Sequence, residues 1–183
     1  ETALFTSATL DQLMACQTEE QCLQLLQEKG WGGADTPVNA EAILTREQEK
    51  IWENIKDLGV DMSVFDVLSY PNMFHNLKAA IKDVCTEENG KTMNIYYDDT
   101  AVSPDEMLEI VRSKDFSRLP KYMAGAAKEA YETLLHTRDG QLCDVIVDKA
   151  ALEAIYAAGK EAKDSIIKDY AESTVAIADI KIA

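Results

Sequence analysis

The sequence predicts an all-α protein, on three observations. Apolar residues recur at three- and four-residue steps in one segment after another. Several of these segments open on residues that cap helices. No sustained alternation of apolar and polar residues appears, and 8 glycines and 4 prolines in 183 residues leave long stretches uninterrupted.

The elements follow in order. Thr18-x-x-Gln21 has the form of a capping box, and Cys22, Leu25 and Leu26 then share one helical face until Gly30 stops the run. After "GWGGADTPV", Asn39 is placed to cap a long helix striped by Ile43, Leu44, Ile51, Ile55 and Leu58 and closed at Gly59. Phe65, Leu68, Met73, Phe74, Leu77, Ile81 and Val84 make a third face, which Pro71 starts or bends and Asn89-Gly90 ends. The segment "KTMNIYYDDTAV" is too short to found a sheet and reads as a connector.

Ser103-Pro104-Asp105-Glu106 combines an N-cap serine, a first-turn proline and a glutamate at the reciprocal capping position. Met123, Ala127, Ala130, Tyr131 and Leu134 stripe the next helix, and Asp139-Gly140 breaks it. Leu142, Val145, Ile146, Leu152, Ile155 and Tyr156 stripe another, and Ile166, Ile167, Tyr170, Ile177 and Ala178 a last one. The organisation expected is a first helical segment over 1–90, a connector over 91–102 and a second helical segment over 103–183. Because the chain starts at Glu1 and stops inside the apolar "STVAIADIKIA", it is expected to be a piece of a longer protein.

Charge narrows the function. With 33 acidic and 18 basic residues the net charge is -15, which repels phosphate backbones and anionic lipid headgroups, so nucleic acid and membrane surfaces are disfavoured partners. No apolar run reaches the length of a membrane span. Four cysteines, Cys16, Cys22, Cys85 and Cys143, lack CxxC spacing, and no hydrophobic signal segment precedes them, which fits a reduced, cytoplasmic setting.

No motif for catalysis, cofactor binding or metal binding emerges. Gly90-Lys91 lacks the upstream glycine of a phosphate-cradling loop, and "GWGG" follows a helix where a dinucleotide fingerprint needs a strand. Asp98-Asp99 have no third ligand at metal-binding spacing and read as a solvated turn. His75 would need an orienting carboxylate to act as a base, but its helical neighbours are Pro71, Asn72, Lys78 and Ala79. Asn76 and His75 are instead expected to point partly inward and to satisfy backbone groups at helix ends. A weak echo links Asn76-Leu77-Lys78 to Asp179-Ile180-Lys181.

These segments resemble a known family. "YPNMFHNLKAAIKD" is similar to the Tyr-Asp-x-His-Asn-Leu-Lys-x-x-Leu-Lys signature of the C subunit of V-type and A-type ATPases, called the d subunit in eukaryotic enzymes. "TLDQLMACQTEEQCLQLLQEKGW", "VSPDEMLEIVRSKDFSRLP", "GQLCDVIVDKAALEAIYAAGKE" and "STVAIADIKIA" resemble further stretches of it, in order, across nearly the whole chain. Two positions depart: "PNMF" displaces the usual acid before His75, and Asp179 stands where the second motif commonly has asparagine.

The resemblance implies a multi-helix lobe of a three-lobed fold, the first lobe plus the start of the second. It implies a non-catalytic rotor part with signature residues His75, Asn76, Leu77, Lys78, Asp179, Ile180 and Lys181 in structural roles. The implied partners are the central-stalk subunits and the membrane ring of ion-carrying subunits, with the chain cytoplasmic and peripheral to the membrane and serving H+ or Na+ transport or ATP synthesis. A soluble helical scaffold or regulatory module would share the periodicity. A helical-bundle enzyme would need Glu-x-x-His, but Asn72 and Thr133 precede His75 and His136 by three. The apolar Val175, Ile177, Ile180 and Ile182 are expected to drive self-association through the last helix.

Overall fold

A computed structural model describes residues 4–86 and 95–182 of the chain. Regular structure among the described residues is entirely helical, with eight α-helices and two 3-10 segments. Two compact units, Glu1–Asp61 and Met62–Ala183, divide the chain. Of the expected connector, 91–94 lie outside the described residues, and so does the expected helix end at Asn89-Gly90; residues 95–102 carry no helix.

The first unit holds α1 (Ser7–Met14), α2 (Glu19–Glu28) and α3 (Ala40–Asp57). Thr18 caps α2 by accepting from the Gln21 N–H at 3.3 Å, while the Gln21 carboxamide reaches back to the Gln17 N–H at 2.9 Å, one residue earlier than a standard capping box. Gly30, at φ +85°, ends α2 in a Schellman turn. Its N–H donates to Gln27 O at 2.9 Å and the next, that of Trp31, to Leu26 O at 3.0 Å. Trp31 then stacks on Phe5 with centroids 4.5 Å apart. Asn39 caps α3 as predicted, accepting from the Ala42 N–H at 2.8 Å.

The apolar stripe of α3 is only partly buried. Ile43 is fully enclosed, but Leu44, Ile51 and Leu58 are exposed. Periodicity here marks a face without covering it. Leu23 is the other apolar side chain buried among the described residues of this unit.

The second unit contains a 3-10 segment (Met62–Ser69), α4 (Tyr70–Thr86), α5 (Pro104–Ser113), a 3-10 turn (Phe116–Arg118), α6 (Lys121–Thr137), α7 (Gly140–Glu161) and α8 (Ser165–Ile182). Helix α4 packs on α5, α6 and α7, and α7 packs in turn on α6 and α8. Their shared core takes Met73, Phe74, Leu77 and Ile81 from α4, Met107, Ile110 and Val111 from α5, and the predicted stripe Met123, Ala127, Ala130, Tyr131 and Leu134 from α6. Each large side chain enclosed this way stabilises the fold by about 1.5–3 kcal/mol. Pro71 lies in the first turn of α4, where its missing N–H costs no helical bond.

Three local expectations are corrected. Ser103 caps α5 through the Glu106 N–H at 3.3 Å, yet the Glu106 carboxylate turns to Arg118, 3.2 Å away, instead of closing a reciprocal cap. Arg138, at φ 57°, makes the turn after α6; Asp139 caps α7 through the Gln141 and Leu142 N–H groups, so Gly140 begins a helix and does not break one. The buried face of α7 is Cys143, Val147, Ala154 and Ile155, while Leu142, Val145 and Tyr156 of the predicted stripe are exposed. The reason is which neighbour each position meets: Cys143, Val147 and Ala154 enter the core shared with α4, α5 and α6, and Ile155 enters a cluster with α8, where a Cβ at Gly159 would come within 2.2 Å of the Ala171 Cβ.

Helix α8 buries Ile167 and Ala171 in a second cluster with Val67 and Ile155, and leaves Ile166 exposed. The Ile182 side chain lies outside what is described.

Candidate functional site

The signature residues of α4 converge on the segment 95–100. Asn76, fully buried, uses its whole carboxamide. Its Nδ2 donates to Tyr97 O at 2.8 Å and to Thr100 Oγ1 at 3.2 Å, and its Oδ1 accepts from the Tyr97 N–H at 2.9 Å. The Thr100 hydroxyl donates to Val102 O at 2.8 Å and so closes the turn. A single side chain thereby satisfies both backbone groups of Tyr97, which no neighbouring helix or strand serves.

Three more side chains of α4 extend the strip. The His75 Nε2–H donates to Ile95 O at 2.9 Å, and the ring meets Tyr97 edge-on at 5.0 Å. Asn72 donates to Asp99 Oδ1 at 3.1 Å. Near the far end of α4, the buried Asp83 accepts from the Tyr96 hydroxyl at 2.6 Å. Burial, then the hydrogen bond and charge of Asp83, push the Tyr96 phenol well above its ordinary value. The segment read from sequence as a bare connector is thus laced along one helix. His75 and Asn76 bond its backbone, and not the helix ends that sequence reasoning assigned to them.

The remaining signature positions face elsewhere. Leu77 is enclosed in the core. Lys78 leaves α4 toward α7, with its Nζ 2.6 Å from Asp148 Oδ1. One turn on, both carboxylate oxygens of Asp144 lie within 2.8 Å of Lys82 Nζ. Two parallel ion pairs therefore tie α4 to α7, of which Lys82 and Asp144 had no sequence motif to announce them.

Chemically, this is an arrangement for holding backbone. The histidine has a carbonyl partner and no orienting carboxylate among its bonded neighbours. Among the described residues, no group of three or more His, Cys, Asp or Glu is disposed to hold a metal. The buried Cys143, its thiol pushed up to about 11 mainly by burial, is the opposite of an activated nucleophile.

A family profile described as ATP synthase (C/AC39) subunit matches residues 1–183. The chain belongs to this C/AC39 family of V-type and A-type ATPase subunits. Neither the curated proteins nor the solved structures contain a match to it.

In this C/AC39 family member the two halves of the internal echo sit in different surroundings. Asp179, Ile180 and Lys181 are on the last turns of α8 and all exposed, whereas Asn76 and Leu77 are fully buried. Asp179 helps line a groove of about 550 Å³ between α7 and α8, with Val145, Leu152, Tyr156 and Val175 as its apolar floor. No helix among the described residues is long and apolar enough to cross a membrane.

Proposed function

We propose that this chain is a non-catalytic central-rotor subunit, cytoplasmic and peripheral to the membrane, which seats the central stalk on the ring of ion-carrying subunits. It transmits torque between ATP turnover and H+ or Na+ movement. The observation that carries this reading is the family match along the full sequence. The physical character of the second unit supports it. Torque transmission needs helices that do not slide, and close packing at Gly159 together with the paired Lys78–Asp148 and Lys82–Asp144 bridges cross-tie α4, α7 and α8.

His75, Asn76, Leu77 and Lys78 are then structural: they set the path of the segment leading into α5 and anchor α4 on α7. Asp179, Ile180 and Lys181 belong to an exposed face, through which the isolated chain also self-associates.

Reconstitution tests the proposal. The chain is combined with the stalk, ring and catalytic subunits of a V-type or A-type ATPase in vesicles, and ATP hydrolysis and ion uptake are followed together. Omitting it should abolish ATP-driven uptake and leave hydrolysis by the catalytic head intact. Full uptake without the chain would refute the rotor role, and binding only to proteins outside the complex would favour a scaffold.

A further inference from the structure

Cys16 and Cys22 stand at the junction of α1 and α2, outside every role assigned above. The end of α1 brings them together. Leu13 O accepts from the Cys16 N–H at 3.2 Å and from the Cys22 thiol at 3.9 Å, so one carbonyl engages both residues. The Cys16 thiol donates to the adjacent carbonyl, Gln12 O, at 3.4 Å. The carbonyls of two consecutive residues, Gln12 and Leu13, thus hold the two thiols at the same end of α1. Burial, then the hydrogen bond and charge of Cys22, push the Cys16 thiol above its ordinary value, so Cys16 stays protonated to higher pH. Both side chains are partly exposed, and a small oxidant can reach them. The other two cysteines differ, since Cys143 is buried in the core and Cys85 is packed against that core.

We infer that Cys16 and Cys22 form a reversible dithiol–disulfide pair that staples the end of α1 to α2 when the thiol pool becomes oxidising. The oxidant is a small-molecule disulfide such as oxidised glutathione. One protein thiolate attacks it, forming a mixed disulfide and releasing one small thiol. The second protein thiolate then attacks the protein sulfur of that mixed disulfide, forming the Cys16–Cys22 bond and releasing the second small thiol. The two protons lost by the protein end on the two released thiols, and the two electrons withdrawn from the cysteines reduce the oxidant. The bond needs sulfurs about 2.0 Å apart, so the staple replaces both thiol-to-carbonyl contacts and fixes the turn 15–18. In a unit with as little enclosed apolar surface as residues 4–61 show, such a covalent link has a large effect on local opening.

The test equilibrates the full chain in glutathione buffers of graded redox poise, folded and in urea, and maps linkages by mass spectrometry after acid quench and alkylation. The expected product has lost two hydrogen atoms and carries a Cys16–Cys22 link. Its effective concentration should be about tenfold or more higher in the folded chain than in urea, where only sequence proximity acts. Cys16→Ser and Cys22→Ser variants, each confirmed helical by circular dichroism, should instead retain glutathione on the remaining thiol. An equal effective concentration in urea, or mixed disulfides alone in the folded wild type, overturns the inference.

Discussion

Asn76 and Tyr97 exchange two hydrogen bonds, at 2.8 and 2.9 Å, in the pattern of a residue pair on adjacent antiparallel strands. One member of the pair is a side chain. The carboxamide of a helix therefore does for residue 97 what a neighbouring strand would do, and the non-helical segment needs no sheet. Asn76→Ala should leave the Tyr97 N–H without its partner and Tyr97 O with only the Thr100 hydroxyl, 3.3 Å away, and cost about 1–3 kcal/mol in urea unfolding. Asn76→Asp should cost at least as much, because a carboxylate oxygen would replace the donor facing Tyr97 O. If stability is unchanged while assembly into the complex is lost, Asn76 is a contact residue and not a clamp.

The two bridges between α4 and α7 are not equivalent. Asp148 is 57% exposed at its side chain, so losing Lys78 leaves a carboxylate that water solvates, and Lys78→Ala should cost less than about 1 kcal/mol. Asp144 is 34% exposed at its side chain; Lys82 donates to its Oδ2 at 2.8 Å, and its enclosed Oδ1, which accepts no hydrogen bond, has the same ammonium 2.7 Å away as its charge partner. Lys82→Ala should accordingly cost about 1–3 kcal/mol, and adding Asp144→Ala should recover part of the loss. Equal costs for the two lysines in chemical denaturation would contradict this ranking.

Gly159 lies inside α7, where replacing glycine by alanine ordinarily gains up to about 1 kcal/mol. Here the added methyl would meet the Ala171 Cβ at 2.2 Å, with no flexible side chain to swing aside. Gly159→Ala should therefore destabilise the chain by about 1–3 kcal/mol, and Ala171→Gly in the same chain should relieve part of that. A higher melting temperature for Gly159→Ala alone would show that α8 shifts freely.

Local capping was legible in the sequence and helix burial was not, for a physical reason. Thr18, Asn39 and Ser103 bond amides three residues away, so short patterns contain the whole interaction. At Asp139 the expected break and the observed cap differ by a single residue of register. Burial depends on partners that a periodic stripe does not name. On α7 Cys143, Val147 and Ala154 are enclosed because they enter the core shared with α4, α5 and α6, and hydropathy singled out others such as Val145 and Tyr156, which lie outside it. The candidate site was half legible: the His75–Lys78 motif pointed to the right helix, but its partners lie 20 and more residues away in sequence and carry no signature of their own.

Alkaline stability reports the Asp83–Tyr96 contact. The unfolded phenol ionises near its ordinary value of about 10, whereas in the folded chain burial and Asp83 raise it. The sign follows. This contribution is fully present below pH of about 10 and is lost as pH rises through the raised folded value, because only the unfolded state releases the proton in that window. Tyr96→Phe should make the decline in unfolding free energy above that pH shallower. Tyr70 and Tyr122, also raised chiefly by burial, leave a residual slope. Superimposable pH profiles for wild type and Tyr96→Phe would mean that the contact does not persist in solution.

The face formed by α7 and α8 decides the last prediction. Ile177 is 53% and Ile180 76% exposed, and the neighbouring groove has an apolar floor that includes Val145 and Tyr156, themselves exposed. Exposed apolar side chains of this size favour a second apolar surface over water. Against it stands the net charge of -15, which keeps copies apart at low ionic strength. The balance makes a specific forecast: sedimentation velocity of the isolated chain should show concentration-dependent association that strengthens with salt, as screening removes the repulsion and leaves the apolar term. A chain with Ile177→Glu and Ile180→Glu, its helicity verified, should sediment as a monomer throughout. Should the unaltered chain also stay monomeric at every concentration and salt, the exposed face of α8 does not self-associate.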